Sequence, residues 1–251
     1  MRAPRMTGVI DRRLLVNYRV DPDALREILP PVFRPHLIDG SAVAGICLLR
    51  LTELRPAGFP RAIGMRSENA ALRIAVEWDE RDGVRTGVFI PRRDSGSLVN
   101  VAVGGRLFPG PHGSADFTVR DSDDEISASF TSRHDGSSVR VATRVVPELR
   151  GSTLFADVDA ASRFFRGGNV GWSPDRTGSR LDGLELRTSA WSIEAGEIDE
   201  VHSTFFEGGA VPVSAAQLDS VLVMRRVPVT WVDAGRIALP APRVRSRGAV
   251  G

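Results

Sequence analysis

Between residues 70 and 79 apolar and polar positions alternate: Leu72, Ile74, Val76 and Trp78 interleave with Arg73, Ala75 and Glu77. A period of two is that of a strand with one face in a core. Arg81-Asp82-Gly83 then turns the chain into 84–90, so the two runs are expected to form a hairpin. The same reasoning marks strands at 12–19 and at 41–52, the second entered through the turn Asp39-Gly40. A meander follows at 115–120, 125–133 and 139–146, broken by 121–124 and by His134-Asp135-Gly136. Further strands are predicted at 184–193, 201–206 and 227–232.

Helices are few. Asp21 suits an N-cap, Pro22 the first helical position, and Pro30-Pro31 prevents continuation, with Leu25, Ile28 and Leu29 on the buried face between them. Residues 159–166 predict a second short helix stopped by Gly167-Gly168, with a mobile glycine-rich loop to 179, and residues 214–220 a third helix. Periodicity leaves 97–108 open between strand and helix. Many antiparallel strands without βαβ alternation predict a mainly β (α+β) fold, a large antiparallel barrel or strongly curved sheet with a few short helices. It reads as one domain over 1–239, with 240–251 as a flexible tail.

Composition sharpens this. The chain has 251 residues, 42% of them hydrophobic, enough for a sizeable core. All 33 of its lysine-plus-arginine positions are arginine. Lysine Schiff-base chemistry is therefore excluded, since the N-terminus is the only amine able to condense with a carbonyl. Net charge is +2 and the arginines are dispersed among acids, which argues against a nucleic-acid partner. No apolar run approaches the roughly 20 residues of a membrane span, and residues 1–9 lack the apolar stretch of a secretory signal, so a cytoplasmic protein without membrane association is expected. Cys47 stands alone, excluding an internal disulfide and a cysteine-rich zinc site; between Ile46 and Leu48 it reads as a buried small hydrophobe. Glu200 and His202 share a strand face, too few ligands to indicate a metal, and no cofactor is expected. His36 and His134 lie in turn-like sequence and are expected to be exposed.

There is no Walker loop, strand-linked GxGxxG, HExxH or GxSxG. Instead, the run from Asn17 to Pro30 resembles the opening of the acetoacetate decarboxylase-like superfamily. The run Gly104-Gly105-Arg106-Leu107-Phe108-Pro109-Gly110-Pro111-His112-Gly113 is similar to that superfamily's segment of glycine, arginine, apolar residues, glycine, proline and two lysines. Ser67-Glu68-Asn69 resembles the segment that supplies an active-site glutamate. The run from Leu218 to Val227, with Trp231, resembles the superfamily's domain-of-unknown-function branch. The resemblance implies a cone-shaped barrel around a small cavity lined by the first three segments, and a helix over 97–108. It also isolates a departure: the two lysine positions read His112 and Gly113. Imidazole forms no stable imine.

Arg19, Glu68 and His112 are thus the candidate catalytic residues. Arg19 offers a planar fork for a carboxylate or enolate oxygen, or else an ion pair near Asp21. Glu68 is a general base if burial raises its pKa, or else a solvated carboxylate or a partner for Arg66. His112 exchanges protons or donates to an oxyanion, unless it is a loop histidine with no task. Trp78, Trp172, Trp191, Trp231 and the phenylalanines 164, 165, 205 and 206 fill the core or line a pocket. The expected function is a small-molecule cavity with cofactor-independent acid–base chemistry on an enolisable carbonyl or carboxylate. The alternative is a non-catalytic module binding a small apolar or carboxylate ligand, with homo-oligomerisation left open.

Overall fold

The computed structural model describes residues 4–97, 108–209 and 211–240. The helix expected over 97–108, most of the Gly104–Gly113 motif's first half and nearly all of the expected tail fall outside them. The described elements run β1 (Met6–Val20), α1 (Pro22–Arg26), β2 (Arg34–Pro35), β3 (Leu37–Ile38), β4 (Ser41–Pro56), β5 (Met65–Glu80), β6 (Gly83–Ser95), β7 (His112–Asp121), β8 (Glu125–Ser132), β9 (Ser138–Val146), α2 (Val158–Gly167), β10 (Val170–Pro174), β11 (Arg180–Arg187), β12 (Glu194–Ser203) and β13 (Ala216–Ala238). Asp21 caps α1 through the Asp23 amide, as its sequence predicts. Asp39 and Gly40 both take positive φ, 46° and 79°, between the paired residues Ile38 and Ser41, the geometry a two-residue hairpin demands.

All thirteen strands join one curved sheet, mixed rather than purely antiparallel, because β6 runs parallel to both β7 and β10. Its pairings close on themselves. A shorter ring passes β13–β1–β4–β5–β6–β10–β11 and returns to β13; a longer one leaves β6 through β7, β8, β9 and β12. The wall common to both is buried on its two faces, and alternation assigns each residue to a face. Leu14, Val16, Ile46, Leu48, Leu72 and Ile74 join one core; Leu15, Val43, Cys47, Ala71 and Ala75 join the other. Double burial is why 41–52 reads as an almost unbroken apolar run.

Three expectations are corrected. Residues 214–220 are not a helix: a 3-10 turn, Val213–Ala215, leads directly into β13, whose alternating residues pair with β1. The glycine-rich loop contains β10. Within β10, Gly171 packs closely, an added Cβ lying 3.0 Å from Ile90, and Trp172 covers its β11 partner Gly183, where a Cβ would lie 2.6 Å from the indole. Strand bounds also shift, with β11 ending at Arg187, β12 starting at Glu194, and Phe205 and Phe206 buried beyond it. Among the described residues no helix is long and apolar enough to cross a membrane.

Candidate functional site

A cavity of about 140 Å³ is lined by all seven strands of the shorter ring, together with Phe108, His112, Phe165 of α2 and Trp191. What puts α2 there is Asp219 on β13. Its carboxylate accepts from the backbone amides of Thr153 (2.6 Å) and Leu154 (3.1 Å) and from the Ser152 and Thr153 hydroxyls, tethering the segment that leads into the helix. Asp157 then caps α2 through the Ala160 amide, and the apolar face of the helix buries Ala161 and Phe165.

The lining is apolar on most sides, with Ile10, Leu49, Ile90, Leu184 and Trp231 among its walls. Into it come three guanidiniums. Arg13 of β1 sets Nε 3.0 Å from Cys47 Sγ on β4. Arg73 of β5, 2% exposed, stacks 4.6 Å over the Phe165 ring and bonds Asn17 Oδ1, while its Nε has no hydrogen-bond partner among the described residues. Gly45, opposite both Asn17 and Arg73, leaves the passage this side chain needs; a Cβ there would collide with the Val16 carbonyl. Arg93 of β6 donates to the Pro109 carbonyl (3.0 Å) and Ser173 Oγ (3.3 Å). Among the described residues none of the three forms an ion pair with a carboxylate. Burial pushes Arg73 down to about 9 and Arg93 to about 10, with repulsion from Arg13 adding to both and Cys47 opposing it. Both stay charged at neutral pH.

His112 opens β7 beside Arg93 and lines the same cavity. Its Nδ1 lies 3.1 Å from the Gly110 carbonyl, which can only accept, so Nδ1 carries the proton and Nε2 is left as an acceptor. Burial, then the charge of Arg93, pulls its pKa to about 4, against the weaker opposite effect of the Gly110 bond, so the imidazole is neutral at pH 7. At Gly113, the second expected lysine position, an added Cβ would sit 2.5 Å from Asp94 Oδ1. That position has no room for a side chain.

The structure does not bring the three sequence candidates together. Arg19 shares the face of Arg13 but lies six residues, roughly 20 Å, further along β1, where it bonds Gln217 at 2.6 Å. Glu68 has the parity of Leu72 and so projects from the opposite face of β5. There it holds Arg12 (2.6 Å), which is buried, and Arg50 (2.6 Å), with Asp121 completing the cluster. Only His112 faces the cavity. Cys47 is buried as expected, yet its neighbour is a guanidinium. Trp191, Trp231 and Phe165 are lining residues, whereas Trp78 and Trp172 pack edge to face in the core. His134 is exposed, but His36 is half-buried against Phe164. Glu200 and His202 turn to Arg140 and Glu207, and no cluster of three metal-ligating side chains occurs among the described residues.

No curated protein matches the chain. Solved structures do. The acetoacetate decarboxylase of Legionella pneumophila superposes with a TM-score of 0.64 at 14% identity, over 95% of this chain and 88% of that one. An acetoacetate decarboxylase-like enzyme from Sphingomonas wittichii RW1 gives 0.63 at 17%, over 96% and 95%. The enduracididine biosynthesis enzyme MppR, complexed with pyruvate, gives 0.60 at 14%, over 96% and 91%. The fold is thus that of acetoacetate decarboxylase, as the sequence motifs implied. Residues 9–228 match the model of DUF2071, described as an uncharacterized conserved protein, and the chain belongs to that family.

Proposed function

We propose that this protein binds a small organic carboxylate in the cavity of the shorter ring, with Arg13, Arg73 and Arg93 as its charge partners and the neutral His112 in its wall. The observation that carries this is the set of guanidiniums brought into a largely apolar space where, among the described residues, no carboxylate pairs with them. Buried charge without a partner is expensive, and a bound anion removes the expense while gaining charge-assisted, directional hydrogen bonds. That MppR was crystallised with pyruvate on the same fold supports the ligand class.

Acid–base catalysis needs a base near neutrality. Glu68 lies behind the wall, and His112 is held well below neutral pH. The geometry therefore favours the binding module over the enzyme. Titration calorimetry with pyruvate, acetoacetate and the uncharged methyl pyruvate tests the reading: the two acids bind, the ester does not, and Arg73→Met abolishes the difference. Equal binding of acid and ester would refute it. Proton exchange at C3 of pyruvate in D2O, followed by NMR, decides on catalysis; exchange that is faster than in buffer and lost in His112→Asn restores the enzyme reading.

A further inference from the structure

The charge around the cavity exceeds what a monocarboxylate matches. Among the described lining residues Asp94 is the one carboxylate, and it is already committed: Arg92 grips it through Nε at 2.7 Å and Nη2 at 3.1 Å. Arg13, Arg73 and Arg93 have no such partner among the described residues, and burial, with a smaller contribution from the charge of Arg13, lowers Arg73 and Arg93. One carboxylate engages at most two guanidinium forks, which leaves at least one cation buried and uncompensated.

The approach to the cavity extends the same sign. A surface depression of about 210 Å³ shares Asn169, Leu186 and Trp191 with the inner space and adds Arg166 and Arg187 at its rim. Glu185 neutralises Arg187 at 2.7 Å, whereas Arg166, exposed at the end of α2, has no ion pair among the described residues. Size sets the other limit. An apolar cavity of roughly 150 Å³ accepts benzene, so the inner space, of about 140 Å³, takes a short skeleton and not an extended chain.

From charge count and volume together we infer that the ligand is a compact dianion, a dicarboxylate of four or five carbons being the best fit. This rests on the carboxylate-binding reading and names its charge state. One group lies between Arg13 and Arg73, and the other reaches Arg93. A small phosphate monoester carries the same charge, so the experiment separates the two sources.

Calorimetry compares succinate with butyrate, a pair of equal chain length differing by one carboxylate, and adds 2-oxoglutarate, pyruvate, glycerol phosphate and inorganic phosphate. Succinate is expected to bind at least about tenfold more tightly than butyrate. In Arg13→Gln and, separately, Arg93→Gln, that ratio drops below about threefold, with thermal melts confirming that each variant is folded. Butyrate or pyruvate binding as well as succinate overturns the dianion and leaves the carboxylate cavity standing. Failure of every carboxylate and phosphate overturns both. Glycerol phosphate exceeding succinate upholds the dianion and assigns it to the phosphate source.

Discussion

Replacing His112 with Asn isolates one buried proton equilibrium. The amide keeps a donor for the Gly110 carbonyl and removes the titratable ring. In the folded protein the imidazole titrates near 4, in the unfolded chain near 6.5. Between those values the unfolded state binds a proton that the native state refuses, so unfolding becomes easier as pH falls. At 1.36 kcal/mol per unit, the wild type loses about 2 kcal/mol between pH 7 and pH 4.5 on this account alone. Urea unfolding of wild type and His112→Asn at pH 7, 5.5 and 4.5 measures it, because the carboxylates titrate in both proteins and cancel in the difference. The variant, whatever its stability at pH 7, should gain on the wild type by that amount on acidification. Curves that stay parallel to within about 0.5 kcal/mol, the reach of the extrapolation, would show that the ring titrates freely and does not lie in the cavity wall.

Three other outcomes are expected. Glu68→Gln strands Arg12 in the wall with only Asp121, at 3.3 Å, to offset it; calorimetry should show a loss of about 2–3 kcal/mol, or roughly 5–10 °C in Tm, with carboxylate affinity unchanged. Asp219→Ala leaves the Thr153 and Leu154 amides without an acceptor, so hydrogen exchange at 152–167 should rise sharply and stability fall by about 2–4 kcal/mol, while equal protection in both proteins would show the tether to be idle. Cys47, beside Arg13, should favour iodoacetate over iodoacetamide relative to glutathione, and Arg13→Gln should erase the preference; mass spectrometry of the Cys47 peptide reads both, and an unchanged ratio removes the positive field from the cavity.

Local chemistry was legible in the sequence where a single residue type dictates backbone geometry. Asp21-Pro22 and Asp39-Gly40 mark their cap and their turn because few other pairs satisfy those angles. Non-local needs were not legible. Glycine serves loops and tight packing alike, so β10 reads as a loop until Trp172 is seen lying across Gly183. The motif resemblance found His112, whose place in the cavity follows from its position at the head of β7. It implied that the Glu68 segment lines the cavity, whereas alternation puts 68 with Leu72 and opposite Arg73. Arg73 carries a signal of its own: a charge midway between Ala71 and Ala75, on a face of small residues, announces a long side chain with space reserved around it.

The last strand has a bearing on how the molecule comes into being. β13 pairs with β1, β11 and β12, so each ring is completed by residues 216–238, which are synthesised long after β1. Until they emerge from the ribosome, β1 offers an open, strongly apolar edge to any passing strand. Closure joins residues 196 to 225 positions apart, which makes it slow and exposes the nascent polypeptide to aggregation. A holding chaperone, or slow translation just after β13, should therefore govern yield more than the stability of the finished protein does.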